Sequence, residues 1–272
     1  MLNFILFSLL GACTSETTNP DAPKKESKSS FQDLDMDALQ KAAEKATVNL
    51  VPPPLELQKA LVDKGLKSDL SSFVAKKNLS MDIDDTDQIA IRAGVLISDL
   101  VFTIKTAPIS DLTKNLDSLR IAFDKLKAGD DIGSTIDDLK DSLSRENPDR
   151  EKILEEMNDL SMVMVSELKY EAGEWVVPLI QAGSWLEGSY IISSAILKEQ
   201  NQEATELLKK PGTAKYFLHY VNREGRTKAP PIVIKKLSAT LIDLDTISDQ
   251  KSITMDDVQK VQSLTGELLK LL

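Results

Sequence analysis

The sequence predicts an all-α protein, an irregular helical bundle or short solenoid of about nine or ten helices. Three observations predict it. Apolar residues recur at spacings of three and four along most of the chain. Pro and Gly sit almost wholly between those periodic stretches, where helices start and stop. No stretch combines strand-like alternation with hairpin turn residues.

The chain opens on a short apolar run from Leu2 to Leu10, followed by Gly11-Ala12-Cys13. Such a run is too short to cross a hydrocarbon layer of roughly 30 Å as a helix. It fits the apolar region of a secretory signal peptide, although no Lys or Arg precedes it. Leu10-Gly11-Ala12-Cys13 has the form of a bacterial lipobox. An aliphatic residue is followed by two small ones that let the peptidase approach the backbone, and the cysteine thiol then receives the diacylglycerol. Residues 1–12 are therefore expected to be a lipoprotein signal peptide, with Cys13 acylated. Residues 14–30 are Thr, Ser, Glu, Asn, Pro, Asp and Lys with almost nothing apolar. With Cys13 they read as a flexible tether, spanning roughly 20–25 Å as a coil. Thr14, not Asp, follows the cysteine. By similarity to enteric lipoproteins, this implies the outer membrane, facing the periplasm.

Residues 31–272 read as one helical domain. A polar helix is expected over 33–47, and Pro52-Pro53-Pro54 opens a second through Leu55, Leu57, Leu61 and Val62. A short helical segment is expected over 68–77. Asp82, Asp84, Asp85 and Asp87 crowd the start of a long apolar helix over 86–106, where the helix dipole favours them; Pro108 ends it. Ser110 is the expected cap of the next helix, whose Leu112, Leu116, Leu119, Phe123 and Leu126 form one stripe closed by Gly129. Ile132, Ile136, Leu139 and Leu143 mark a shorter amphipathic helix. Asn147-Pro148 reads as a cap with Pro at the first helical position, ahead of Ile153, Leu154, Met157, Leu160 and Met164. Residues 175–197 are apolar on nearly every side. Pro211-Gly212 breaks the following polar helix. Two more helices follow Pro230-Pro231 and Thr254, the last with Asp257 three residues on as a capping box.

Composition excludes several functions. The chain has 272 residues, 33 Lys plus Arg, 43 Asp plus Glu and a formal net charge of −10. Phosphates would be repelled, so no nucleic-acid partner is expected. One Cys and one His leave no intrachain disulfide, no Cys/His zinc site and little room for a Ser-His-Asp machine. Aromatics are 5% of residues, sparse for a sugar cleft. Residues 82–87 resemble half a calcium loop but lack its Gly and its Glu twelve positions on, so they are read as helix-start acids. His219 reads as a helix-surface residue. No cofactor, metal or enzymatic activity is expected.

Acids inside apolar helices are the most informative residues, because burying a carboxylate is costly unless it is paired. Glu187 lies in Trp185-Leu186-Glu187-Gly188-Ser189-Tyr190, and Asp99 lies two turns after Arg92 on an equally apolar helix. An Arg92–Glu187 pair between two packed helices would fix their register. A ligand-facing polar patch and simple exposure are the other readings. Arg92, Asp99, Trp185, Glu187 and Tyr190 thus form the candidate polar core or ligand site. Trp175, Trp185 and Tyr190 are more simply core filling than pocket lining. Pro178, Gln181 and Glu187 argue against a membrane span over 175–197. A faint echo joins Ala93-Gly94…Asp99 to Ala182-Gly183…Glu187: in both, a Gly suited to close packing precedes an acid by about a turn.

The lipobox, the Ala-Gly-Val-x-x-Ser-Asp-Leu helix (93–100) and the Ala-Gly-x-Trp-Leu-Glu-Gly-x-Tyr helix (182–190) together resemble a group of uncharacterised all-helical lipoproteins of Gram-negative bacteria. The likeness covers roughly residues 85–200, with Phe102 where that group tends to have Tyr. It implies the helical fold, lipidation and a joint role for Asp99 and Glu187, and brings no activity or cofactor. The expected function is a lipid-anchored envelope lipoprotein whose acidic helical domain binds another envelope protein or acts as a scaffold. The alternative is a binder or carrier of a small apolar or lipid ligand, in a cavity near Trp185, Glu187 and Tyr190.

Overall fold

The structure is a computed structural model that describes residues 54–74, 77, 79–171, 173, 175–223 and 231–272. The expected signal peptide, Cys13, the tether and the helix over 33–47 lie outside the described residues. Among those described there are nine α-helices, two 3₁₀ helices and no strand. The helices are α1 (Pro54–Asp63), α2 (Thr86–Thr103), α3 (Ile109–Leu126), α4 (Gly129–Leu143), α5 (Arg150–Glu171), α6 (Val176–Glu199), α7 (Thr213–Val221), α8 (Pro231–Ser248) and α9 (Met255–Leu269). The all-α expectation holds.

Of the two architectures expected, the bundle forms. α2 and α6 make the most extensive helix–helix contact and build the centre. On one side α3 packs on α2, α4 on α3, and α5 on α4 and back onto α2 and α6. On the other, α9 packs on α6, α8 on α9 and α7, and α7 on α6. This arrangement explains why α2 and α6 are apolar nearly all round. A helix with neighbours on every side has no polar face to show water. Ile89, Ile91, Leu100, Leu179, Leu186 and Ile191 are all buried there, each contributing about 1.5–3 kcal/mol relative to exposure. The outer helices need one apolar stripe only. In α3 it is Leu112, Leu116, Leu119, Phe123 and Leu126, all buried as the spacing predicts.

The structure corrects several boundaries. α3 begins at Ile109 with Pro108 at its N-cap, so Ser110 lies inside the first turn. It ends at Lys127, which adopts the left-handed conformation, φ 57°. Gly129, φ 71°, opens α4 and does not close α3. At α5 the side chain of Asp149, not Asn147, accepts the Lys152 N–H at 3.1 Å. Of the segment expected as a helix over 68–77, the described residues form a single 3₁₀ turn, Leu70–Phe73, and Lys77 lies outside any helix. Gln202–Leu208 is likewise 3₁₀.

The capping box at α9 forms as expected: Thr254 Oγ1 accepts the Asp257 N–H at 3.2 Å, and Asp257 Oδ2 accepts the Thr254 N–H at 2.9 Å. Thr254→Ala removes the first of these bonds and orphans an N–H. It should lower unfolding free energy by about 1 kcal/mol, read as a lower urea midpoint with unchanged slope.

Candidate functional site

The candidate site is built on the crossing of α2 and α6. A Cβ placed on Gly94 would overlap the Ile180 carbonyl oxygen and lie 2.8 Å from the Ser184 nitrogen. A Cβ on Gly183 would overlap the Ile91 carbonyl oxygen. The two backbones therefore touch where each lacks a side chain, and the contact is reciprocal. Nearby, the Ser98 and Ser184 hydroxyls lie 2.7 Å apart and share a hydrogen bond across the crossing. The echo in the sequence has a physical meaning: both glycines serve one crossing, and both acids project into the space beside it.

Asp99 and Glu187 meet there around Lys77. The Lys77 ammonium lies 3.1 Å from Asp99 Oδ1 and 2.6 Å from Glu187 Oε1. All three side chains are withdrawn from water, Glu187 completely at 0% exposure. Three chain segments thus contribute one group each: the non-helical stretch before α2, α2 and α6. Sequence reasoning marked both acids and missed the cation. The pairing predicted there was Arg92–Glu187. Instead the Arg92 guanidinium donates to the Ser80 carbonyl, a hydrogen bond between the same stretch and α2. Arg92 is buried, and burial lowers its pKa from the ordinary value.

The electrostatics of the cluster follow from counting charges. Two carboxylates and one ammonium leave one surplus negative charge in the core. Burial, then the neighbouring Glu187 carboxylate, hold the Asp99 carboxyl well above the usual range, against the pull of Lys77. A proton on Asp99 would cancel the surplus. Apart from Lys77 and Asp99, no donor among the described residues reaches the Glu187 carboxylate.

The remaining candidate residues go elsewhere. Trp185 packs on Phe217 of α7, ring centroids 5.7 Å apart. The Tyr190 ring lies over α9, so close that a Cβ on Gly266 would be 2.9 Å from it. Trp175 is exposed, with the Arg223 guanidinium 5.0 Å from its ring centroid. These aromatics and Glu187 each have a different neighbour: Phe217, Gly266, Arg223 and Lys77. Arg223 also pairs with buried Asp87 at 2.6 Å, tying the end of α7 to the start of α2. The residues before it include Asp85, which caps α2 by accepting the Gln88 N–H at 2.9 Å. His219 is exposed, edge-on to Tyr220.

The stretch between α1 and α2 is held at further points. The Glu199 carboxylate, at the end of α6, accepts the backbone N–H groups of Lys67 at 2.9 Å and Ser68 at 2.6 Å. Asn201 Nδ2 donates to the Lys64 carbonyl at 2.8 Å. Lys198 lies over the Phe73 ring, 5.1 Å from its centroid. Leu79 and Met81 add buried apolar anchors on either side of Ser80.

Fold and site together define a helical-bundle protein with a glycine crossing and an ionic cluster at its centre. No protein-family model, curated protein or solved structure matches the chain. Among the described residues no group of His, Cys, Asp and Glu is arranged to hold a metal ion, and no helix is long and apolar enough to cross a membrane.

Proposed function

We propose that this chain is an envelope lipoprotein, anchored through lipid on Cys13, whose acidic helical bundle serves as a protein-interaction or scaffold module. The observation that carries the reading is the order of the first thirty residues: apolar run, Leu10-Gly11-Ala12-Cys13, then a polar tether. The net charge of −10 supports a body standing off anionic lipid, so the acyl chains do the anchoring. Large apolar side chains at the surface, Ile232 at 68% exposure and Ile242 at 52% among them, offer contact area for a protein partner. The ionic cluster, closed by Lys77, suits a structural role at the centre of such a module. The grouping needed for an apolar-ligand carrier, Trp185 beside Glu187 and Tyr190, is not favoured by their separate neighbours.

Fractionation of cells fed an alkyne fatty acid tests the anchor. The wild type should sediment with membranes and carry the label, and Cys13→Ala should lose both. An unlabelled wild type would remove the lipoprotein reading. For the interaction role, the detergent-solubilised wild type and the released Cys13→Ala form should recover the same stoichiometric partner after cross-linking. Recovery of no common protein would count against it.

A further inference from the structure

The outward face of α8 carries an inference about self-association. We propose that two copies of this chain pair through α8, antiparallel about a twofold axis, with the basic half of each helix against the acidic half of the other. This rests on the interaction part of the reading above and names its partner; the pairing itself does not need the lipid anchor.

The exposed residues of α8 are Ile232, Lys235, Ala239, Ile242 and Thr246, and exposed Asp249 follows the helix end. Steps of three and four place them on one line along the helix. The opposite face supplies the packing on the bundle, with Val233, Leu237, Leu241, Leu244 and Ile247 buried. A line that meets only water is polar. That holds for α4, whose exposed residues at the same spacing are Asp131, Ser134, Asp138 and Asp141. On α8 the line carries Ile232, Ala239 and Ile242 instead, with both isoleucines more than half exposed. The Lys236–Glu267 pair at 2.7 Å and the Lys260–Asp243 pair at 3.7 Å set α9 antiparallel beside α8. Exposed Leu271, just past Glu267, therefore lies at the same end of α8 as Ile232 and adds apolar surface there.

Spacing and charge select a second copy, running antiparallel. Positions 232, 235, 239, 242, 246 and 249 alternate steps of three and four, the spacing of a seam between two helices. Charge is complementary end to end: Lys235 and Lys236 lie in the first half of α8, and Asp243, Asp245 and Asp249 lie in the second half or just after it. Lys236 is engaged with Glu267, whereas Lys235 makes no salt bridge among the described residues. Parallel pairing in register sets Lys235 on Lys235 and Asp249 on Asp249, which repel. Antiparallel pairing sets each Lys235 beside Thr246 of the second copy and within a turn of its Asp249, twice by symmetry. In that register Ala239 faces Ile242, a small side chain against a large one. A helix of 18 residues is about 27 Å long. One such pair buries less than the roughly 1,200 Å² of a small specific interface, so association in solution is weak. It strengthens wherever copies are held close together, as tethers on one membrane would hold them.

Sedimentation velocity of the full chain carrying Cys13→Ala tests this; that chain holds no cysteine, so no disulfide can link two copies. Its mass should move from one chain towards two as concentration rises, half-complete at on the order of tens of micromolar. Ile232→Glu and Ile242→Glu place a good helix former at exposed positions. Each should weaken association by at least about tenfold, with far-UV circular dichroism unchanged. Lys235→Glu should weaken it by about tenfold. Adding Asp249→Lys should restore it to within about threefold, because the symmetric pairs re-form with their signs exchanged. The charge variants also cover the case in which the isoleucine variants fail to fold. A mass of one chain up to about 300 μM would overturn the proposal. The interaction reading would then stand or fall on whether cross-linking recovers a different protein. Association unchanged in both isoleucine variants would overturn the choice of face, and a double charge variant as weak as Lys235→Glu alone would overturn the antiparallel order.

Discussion

Lys77→Met should lower unfolding free energy at neutral pH by about 3–5 kcal/mol, the cost of removing one partner from a buried ionic cluster. The substitution keeps most of the side-chain volume, so the loss is electrostatic. It leaves Asp99 and Glu187 facing each other in the core with no cation. An exposed pair would cost about 0–1 kcal/mol, and a measured loss in that range would contradict the buried arrangement. The defect should shrink as pH falls, because protons then do what the ammonium did. Asp99 already sits well above the usual carboxylate range, so the folded variant gains protons over the unfolded chain as pH drops towards that range, and gains stability with them. Lys77→Met combined with Asp99→Asn and Glu187→Gln should recover most of the loss. Urea unfolding of the three proteins at neutral and mildly acidic pH reads all of this.

Gly94→Ala should destabilise the protein by about 2–3 kcal/mol, although helix propensity alone would favour Ala by about 1 kcal/mol. The two effects have opposite signs, so the sign decides which physics governs the position. The new methyl would meet the Ile180 carbonyl, which is helical backbone and cannot swing aside as a side chain could. α2 and α6 must part instead, loosening every apolar contact along them. Gly183→Ala should cost a similar amount through the Ile91 carbonyl. The double variant should cost clearly less than the two combined, because the first substitution has already opened the crossing that the second needs. A stabilised Gly94→Ala protein would show that the crossing is not tight.

The sequence was a good guide to whatever depends on neighbours within a few residues. The stripe of α3, the all-round apolar character of α6 and the Thr254–Asp257 capping box are local patterns, and each is found where expected. Boundaries set by one residue's conformation were less legible. Lys127 takes the left-handed position that Gly was expected to fill, and Pro108 takes the capping place of Ser110. The acids of the site were visible because a carboxylate in an apolar helix breaks the pattern. Their cation was not. Lys77 stands in a polar stretch with no periodicity and lies 22 residues from Asp99 along the chain. Nothing in its neighbourhood distinguishes it from any exposed lysine. Arg92 was the better guess on local grounds and found a backbone carbonyl instead.

The glycine crossing also bears on how the chain reaches this structure. Ser98 and Ser184 meet across it although 86 residues separate them. The length-dependent entropy of closing a loop of that size is about 4 kcal/mol. The helices inside the loop, α3 to α5, pack on their sequence neighbours and can form early through local contacts. The central joint cannot, since α6 must be in place before either glycine has a surface to rest on. Docking of α6 on α2 is thus the step expected to be slow and late. Until it happens, the two most apolar helices of the bundle remain unpaired, which makes the time before closure the interval when the chain is most exposed to aggregation.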